Sequence, residues 1–181
     1  MNLFGTFRVL LFVTSRAPDW LILTGCCVFI LMLLLSAVWD PSIRWLHFFQ
    51  AWMYLAAIWL GLRKNRWGYF IGLSAAGFWV YCNLFVTTFF VNGLQQLALW
   101  ARTGHLNRPD LLIAIPAWLA NLLVVIGSAW GYCQEARKKV TDLGGFAIAF
   151  VLTTGFFALD MFLFQPRYLG LFPRLLRPHL P

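Results

Sequence analysis

Five long apolar runs dominate this sequence and restrict what it can fold into. A helix needs about 20 mostly apolar residues to cross a bilayer, because lipid offers no hydrogen-bond partner to backbone N–H and C=O groups. The runs cover residues 20–39, 45–62, 67–91, 111–133 and 144–164. We therefore predict an all-α, polytopic integral membrane protein whose five transmembrane helices pack as one helical bundle.

The composition excludes the other broad classes of protein. The 181 residues are 61% hydrophobic and only 11% charged, whereas soluble domains have about 45–50% apolar and about 25% charged residues. This composition excludes an ordinary soluble domain, a disordered chain and a secreted disulfide scaffold. Short loops join the runs, so we expect consecutive helices to be antiparallel neighbours within a single membrane domain, residues 1–181.

Aspartate and proline residues mark several ends of the runs. We interpret Asp19 as the N-cap of the first helix and Pro41 as the residue that prevents its continuation. Pro116 lies in the first two turns of the fourth run and predicts a kink there. Pro166 is expected to close the fifth helix.

Three segments outside the runs have their own character. Residues 1–17 place apolar side chains on one helical face, which predicts an interfacial amphipathic N-terminal helix that lies on the membrane. Residues 94–100, with the sequence Leu-Gln-Gln-Leu-Ala-Leu-Trp, predict a further interfacial turn of helix in the longest loop. Residues 165–181 form a basic, proline-containing tail.

The basic residues predict an orientation. With five spans, the N-terminus shares one side with the second-to-third and fourth-to-fifth loops. That side holds eight Lys or Arg residues, against three in the loops of the other side and three in the tail. The positive-inside tendency favours a cytoplasmic N-terminus and an external C-terminus, and we expect a multi-pass protein of a bacterial inner membrane. Insertion of residues 1–17 as a sixth span would reverse this orientation.

The net charge of +8 indicates a lipid partner rather than nucleic acid. The charges lie in loops beside apolar runs, and no basic stripe is interleaved with base-stacking aromatic residues. Attraction to anionic lipid headgroups explains this pattern.

The chain contains ten tryptophans, and their positions divide them into two groups. Most lie at or near span ends, where an amphipathic indole prefers the headgroup interface. Trp52, Trp79 and Trp118 lie deeper, and they either fill helix interfaces or line a ligand pocket.

A set of polar side chains lies in the outer halves of the second to fifth runs. Under the predicted orientation, Gln50, Asn83, Asn121 and Asp160 all lie between the outer interface and the middle of the membrane. Polar groups are costly in lipid unless they are partnered, so this common depth predicts a polar pocket where the spans meet. Hydrogen bonding between helices, worth about 0.6 kcal/mol per contact, is the alternative role.

Seven residues are the candidates for binding a ligand in this pocket: Gln50, Tyr54, Trp79, Tyr81, Asn83, Asn121 and Asp160. The amides are suited to hydrogen bonding and the aromatic rings to stacking. Asp160 has two interpretations. It either reaches water and pairs with Arg167, or it acts as the counter-charge of a cationic ligand or as a proton site.

The sequence offers little for catalysis, metals or cofactors. His47 is the one histidine within a run, which argues against haem, and no paired carboxylates, nucleophile elbow or phosphate-binding glycine loop occurs. The four cysteines show no C-x-x-C spacing and are interpreted as small packing residues. We expect no metal and no cofactor, and His47 with Asp160 is the one pair that could serve acid/base chemistry.

Three classes of function follow from these features. The favoured one is a small membrane protein that binds or carries a small apolar or amphipathic ligand through the outer-half pocket. A non-catalytic accessory or assembly subunit, packed against other membrane subunits of a larger complex, is the alternative. The third is a membrane enzyme acting on a lipid or isoprenoid substrate, and the sequence favours a non-enzymatic role over it.

Overall fold

The computed structural model describes residues 17–134 and 138–171, and all regular structure within them is helical. The predicted N-terminal interfacial helix, residues 1–17, lies outside the described residues except for its last position, and so does the tail beyond residue 171. The α-helices are α1 (Ala17–Trp39), α2 (Arg44–Leu62), α3 (Arg66–Tyr81), α4 (Phe89–Thr103), α5 (Ala114–Cys133) and α6 (Thr141–Phe164). Shorter helical turns lie at Pro41–Ile43, Cys82–Val86, Pro109–Ile113 and Pro166–Leu171.

Four segments of the described chain are long and apolar enough to cross a membrane: Ala17–Trp39, Arg66–Val86, Pro109–Cys133 and Thr141–Phe164. The prediction of an all-helical fold with several apolar helices long enough to cross a membrane is confirmed. The second predicted run forms α2, a helix of 19 residues, which is not among these four segments.

The helices pack as a ring of four with one helix outside it. α1 contacts α2 and α5, and α3 contacts the same two helices from the other side. α6 packs outside this ring, against α3 and more lightly against α2. We call the end with residues 62–66, 133–134 and 138–141 the basic end, and the opposite end, with residues 39–44, 87–113 and 164–171, the far end.

Ion pairs join the helices at the basic end. Lys64 pairs with Asp19, and Arg66 pairs with Asp142. Asp142 also accepts hydrogen bonds from the Tyr132 hydroxyl at 3.1 Å and from the Lys139 backbone N–H at 2.9 Å. These contacts connect α1 to the α2–α3 loop and α6 to both α3 and α5. The N-cap interpretation of Asp19 is therefore corrected, because its carboxylate lies buried in the first turn of α1 and faces Lys64.

The predicted third span, 67–91, is divided in the structure. α3 continues into a π-helical turn at Cys82–Val86, and Thr88 then takes a left-handed conformation with φ of 55°. The Thr87 backbone N–H and hydroxyl donate to the Cys82 carbonyl at 2.8 and 3.1 Å, which closes the helix there. Residues 89–91 therefore belong to α4, and the turn predicted at 94–100 is part of a helix of 15 residues.

The proline predictions have mixed outcomes. The first helix ends at Trp39 before Pro41, and the last ends at Phe164 before Pro166, as the sequence predicted. Pro116 is the third residue of α5, which directly follows the helical turn Pro109–Ile113. The kink predicted at this proline stays a prediction.

Glycines allow α1 and α5 to approach backbone to backbone. A Cβ atom at Gly25 would lie 2.6 Å from the Ala120 carbonyl oxygen, and one at Gly127 would lie 2.9 Å from the Pro18 carbonyl oxygen. Real Cβ atoms do not come this close to backbone atoms, so each position requires glycine. Close approach of this kind is how small residues drive helix association in membranes.

We predict that Gly25→Ala lowers the free energy of unfolding by about 1–3 kcal/mol, because the added methyl group forces α1 away from α5. The matched control is Gly155→Ala on α6, where a Cβ atom meets nothing within 4 Å. Unfolding of both variants in mixed micelles, with denaturing detergent as the titrant, gives the comparison. Equal stability of the two variants would contradict this account of the α1–α5 contact.

Candidate functional site

A cavity of about 300 Å³ lies between the helices at the far end. Its walls come from α1, α2, the α3 end with its π-helical turn, the Pro109–Ile113 turn and the start of α5. Most of the wall is apolar, with aromatic and aliphatic side chains that include Phe29, Leu33, Leu46, Phe78 and Met161.

Two helices contribute polar side chains to the cavity wall away from its mouth. Trp79, Asn83 and Thr87 follow one another at a spacing of four along α3 and its π-helical turn, and all three line the cavity. His47 and Gln50 on α2 also line it.

Two buried polar groups in this wall have no hydrogen-bond partner among the described residues. The Gln50 side chain is 1% exposed, and its Nε2 atom is unpartnered. The Trp79 Nε1 atom is also buried and unpartnered. An unsatisfied buried polar group costs about 1–3 kcal/mol, so a ligand or water that bonds to these groups is stabilised by them.

The π-helical turn is what brings Asn83 to the cavity. The hydrogen bond from the Thr87 N–H to the Cys82 carbonyl spans five residues instead of four, which widens the turn and rotates the residues within it. Turns of this kind are rare and occur frequently at functional sites. An apolar run gives no indication of such a turn, so the sequence did not predict it.

Tyr54 and Asn121 lie deeper in the bundle and bond to each other. The Tyr54 hydroxyl donates to Asn121 Oδ1 at 2.6 Å, and Asn121 Nδ2 donates to the Ala117 carbonyl at 2.9 Å. Neither residue lines the cavity, and both are almost fully buried. Their polar groups are thus engaged in joining α2 to α5. Tyr81, half-buried and 5.4 Å from the Phe85 ring, also lies outside the cavity wall.

Charged residues at the mouth of the cavity are paired with each other. Arg108 donates two hydrogen bonds to Asp110, at 2.9 and 2.6 Å, and both residues line the cavity. Asp40 accepts from the Ser42 hydroxyl at 2.6 Å and lies 3.5 Å from Arg167. The Ser42 hydrogen bonds, with the Arg167 charge, lower the pKa of Asp40, so it stays ionised at neutral pH. The sequence did not predict this mouth, although Arg108 and Asp110 are opposite charges two positions apart.

Asp160 is buried without a partner beside the cavity. It is 3% exposed, and neither carboxyl oxygen has a hydrogen-bond partner in the part of the chain that the structure describes. The pairing expected with Arg167 does not occur, because that guanidinium faces Asp40 at 3.5 Å. Asp160 does not line the cavity itself, whereas its chain neighbour Met161 does.

Ring contacts of α6 give the depth of Asp160 in the bundle. The Phe164 ring stacks on Phe49 of α2 at 5.1 Å, and the Phe157 ring lies 5.6 Å from Trp79 of α3. Asp160 lies one turn from each of these α6 rings. By this register it lies between the level of Phe49 on α2 and the level of Trp79 on α3, on a helix that contacts both.

The three deeper tryptophans have different surroundings. Trp79 lines the cavity, and Trp118 stacks on Phe90 with 4.2 Å between the ring centroids. Trp52 is 54% exposed on the outer side of α2, where lipid would cover it. The sequence could not separate these cases, because an indole fits a pocket, a helix interface and a lipid-facing surface equally well.

No protein-family model, curated protein or solved structure matches this chain. Within the described residues, no group of three or more His, Cys, Asp or Glu side chains is placed to hold a metal ion. The chemistry of the cavity is therefore the basis for assigning a function.

We predict that the hydrogen bond between Tyr54 and Asn121 couples α2 to α5 by about 0.6 kcal/mol, and by at most about 1.7 kcal/mol, as between other membrane helices. A double-mutant cycle of Tyr54→Phe and Asn121→Ala, read by the free energy of unfolding in mixed micelles, measures this coupling. Additive effects of the two substitutions would show that the bond contributes nothing to stability.

Proposed function

We propose that this protein binds, and carries within or across the membrane, a small amphipathic ligand in the far-end cavity. The observation that carries the proposal is a cavity of about 300 Å³ with polar groups in its wall that bond to no other described residue. This volume is at the lower end of the usual range for ligand sites, about 300–1,000 Å³, and therefore favours a small ligand.

The wall indicates how such a ligand is held. Its apolar body lies against the aliphatic and aromatic side chains. Removing this apolar surface from water contributes favourable binding free energy. Its polar group bonds to the carboxamides of Gln50 and Asn83, each of which both donates and accepts hydrogen bonds. Trp79 adds an indole N–H and an aromatic face. Because Tyr54, Tyr81 and Asn121 lie outside the wall, we leave them out of the proposed binding set.

The proposal includes five spans, with α2 as the fifth. At 1.5 Å per residue, the 19 residues of α2 are about 28 Å long, close to the thickness of the hydrocarbon core. One side of α2 is buried against its neighbours, and the other is an exposed apolar stripe suited to lipid: Trp45, Phe48, Trp52, Leu55, Trp59 and Leu62. The N-terminal interfacial helix remains part of the proposal, on the sequence alone.

We further propose that the basic end faces the cytoplasm of a bacterial cell and that the cavity opens outwards. The clustered Lys and Arg residues of the basic end support this orientation. A ligand would then reach the cavity from the outer leaflet or from outside the cell.

Cysteine labelling tests this orientation. Cys133 is exposed at the basic end, so in spheroplasts a membrane-impermeant maleimide should label it only after permeabilisation. The matched variant carries Thr103→Cys at the end of α4, together with Cys133→Ala, and it should be labelled in intact spheroplasts. The reverse pattern of labelling would overturn the proposed orientation.

Photolabelling tests the binding site. We expect a decanol that carries a diazirine to label residues of the cavity wall in lipid nanodiscs, and an excess of plain decanol to compete with it. Ala114 lines the cavity, so Ala114→Phe should fill part of the cavity and remove most of the competed label. Ala147→Phe, on the exposed side of α6, is the matched control and should be labelled as the wild type is.

Two results would contradict the proposal. If competition by decanol is absent, or if Ala114→Phe leaves it unchanged, the cavity is not a ligand site. A stoichiometric partner subunit that copurifies from native membranes and covers the cavity mouth would instead support the accessory-subunit function.

A further inference from the structure

We infer that the ligand of this cavity is an amphipathic organic cation, that Asp160 is its counter-charge, and that the cation replaces a proton on Asp160. This inference rests on the proposed function, because it names the ligand class of the same cavity. It concerns a residue that lies behind the cavity wall.

The surroundings of Asp160 indicate that its charge needs a partner that the described residues do not supply. Both carboxyl oxygens are buried and unbonded, and the four residues that precede Asp160 on α6 are all apolar: Phe156, Phe157, Ala158 and Leu159. An ionised carboxylate without a cation or a hydrogen-bond donor is strongly disfavoured in such a place. In the empty site the carboxyl group therefore carries a proton.

The sign of the remaining charges favours a cation over an anion. The two arginines at the cavity mouth, Arg108 and Arg167, already face Asp110 and Asp40. His47 is the one basic side chain in the rest of the wall, and its Nδ1 atom lies 3.0 Å from the Leu33 carbonyl oxygen, a contact that takes an N–H on that atom. Among the described residues, an anion entering the cavity would thus find no free positive charge, whereas a cation has a buried carboxyl group beside it.

Aromatic rings next to Asp160 suit a substituted ammonium group. The Phe157 ring lies 5.7 Å from the Phe78 ring and 5.6 Å from the Trp79 ring. Phe78 and Trp79 line the cavity. The faces of such rings attract organic cations, most strongly when water is excluded. Gln50 and Asn83 then stabilise the charge as neutral hydrogen-bonding groups of the cavity wall.

The cation reaches Asp160 through the position of Met161. Met161 lines the cavity and is the chain neighbour of Asp160. A methionine side chain is unbranched and changes its shape at low cost. When it moves aside, the ammonium group meets the carboxylate, and the proton of the carboxylic acid leaves to water. The site is neutral before and after this exchange.

Other titratable groups on the elements packed against α6 must be separated from Asp160 in any pH measurement. Those on α2, on the end of α3 with its π-helical turn and on the last helical turn are Arg44, His47, Tyr54, Tyr81, Cys82, Arg167 and Tyr168. Of these, histidine is the one with an ordinary pKa near neutrality, about 6.5. His47→Gln is therefore the control for an effect of pH.

The experiment uses the protein in lipid nanodiscs and compares two probes that share a ten-carbon alkyl group. One is decyltrimethylammonium, whose charge does not depend on pH, and the other is the neutral decanol. Each competes with its own diazirine-bearing analogue at a series of pH values. For the wild type we expect the affinity for decyltrimethylammonium to rise with pH, by up to about tenfold per pH unit, because one proton competes with one cation. The affinity for decanol should not change with pH.

Asp160→Asn is the decisive variant, since it keeps the shape of the side chain and removes the charge. We expect it to weaken decyltrimethylammonium binding by about tenfold or more and to remove its pH dependence. Binding of decanol should persist in this variant, which also shows that the cavity is still folded. The pH dependence should persist in His47→Gln.

The outcomes separate this inference from the proposed function. If neither probe competes in the wild type, the cavity is not a ligand site and both proposals fail. If decanol binds but decyltrimethylammonium binds no better in the wild type than in Asp160→Asn, the ligand is neutral and only this inference is overturned. A pH dependence that disappears in His47→Gln and persists in Asp160→Asn would overturn the role of Asp160 in proton exchange.

Discussion

The scarcity of hydrogen-bond partners in lipid governs this structure. A polar group within the membrane must find its partner inside the chain, because the hydrocarbon supplies none. At the basic end this requirement is met, since Asp19 and Asp142 face Lys64 and Arg66. Deeper in the bundle Tyr54 and Asn121 satisfy each other. Towards the far end, Gln50, Trp79 and Asp160 remain unpartnered in the described chain, at the level where the helices separate around the cavity. Of these three residues, Gln50 and Trp79 line the cavity, whereas Ser74, Trp118, Ser128 and Thr154 also have buried polar atoms without a hydrogen-bond partner in the described chain and lie away from it.

The division of the third apolar run produces this separation. A straight helix through residue 91 would carry the apolar face of α3 past the cavity to the membrane surface. Instead, the chain widens into a π-helical turn and changes direction at Thr88, a β-branched residue in a left-handed conformation that is costly for such a side chain. The turn directs Asn83 and Thr87 towards α2, and α4 leaves the bundle with a single buried residue, Gly93. The cavity thus forms where one helix stops early.

The sequence predicted those parts of the structure that depend on local chemistry. Long apolar runs and the prolines at 41 and 166 predicted the helices and two of their ends. The common depth of Gln50, Asn83, Asn121 and Asp160 predicted a polar level in the bundle. The sequence could not show which of these groups form hydrogen bonds with each other. Hydropathy indicates that a residue is buried, but it does not indicate which residues it contacts. Tyr54 and Asn121 are 67 positions apart and meet only through the packing of α2 on α5. The helix break at Thr87 and Thr88 was not predicted for a related reason. Threonine has an intermediate hydropathy, so two threonines do not interrupt an apolar run.

The backbone contact of α1 with α5 limits how the cavity can change its width. With Gly25 against Ala120 and Gly127 against Pro18, the two helices meet backbone to backbone at these positions, and we expect them to keep their spacing. α1 and the start of α5 form part of the cavity wall. A larger ligand would then be accommodated by the other part of the wall, which contains the π-helical turn with Asn83 and the unbranched side chain of Met161.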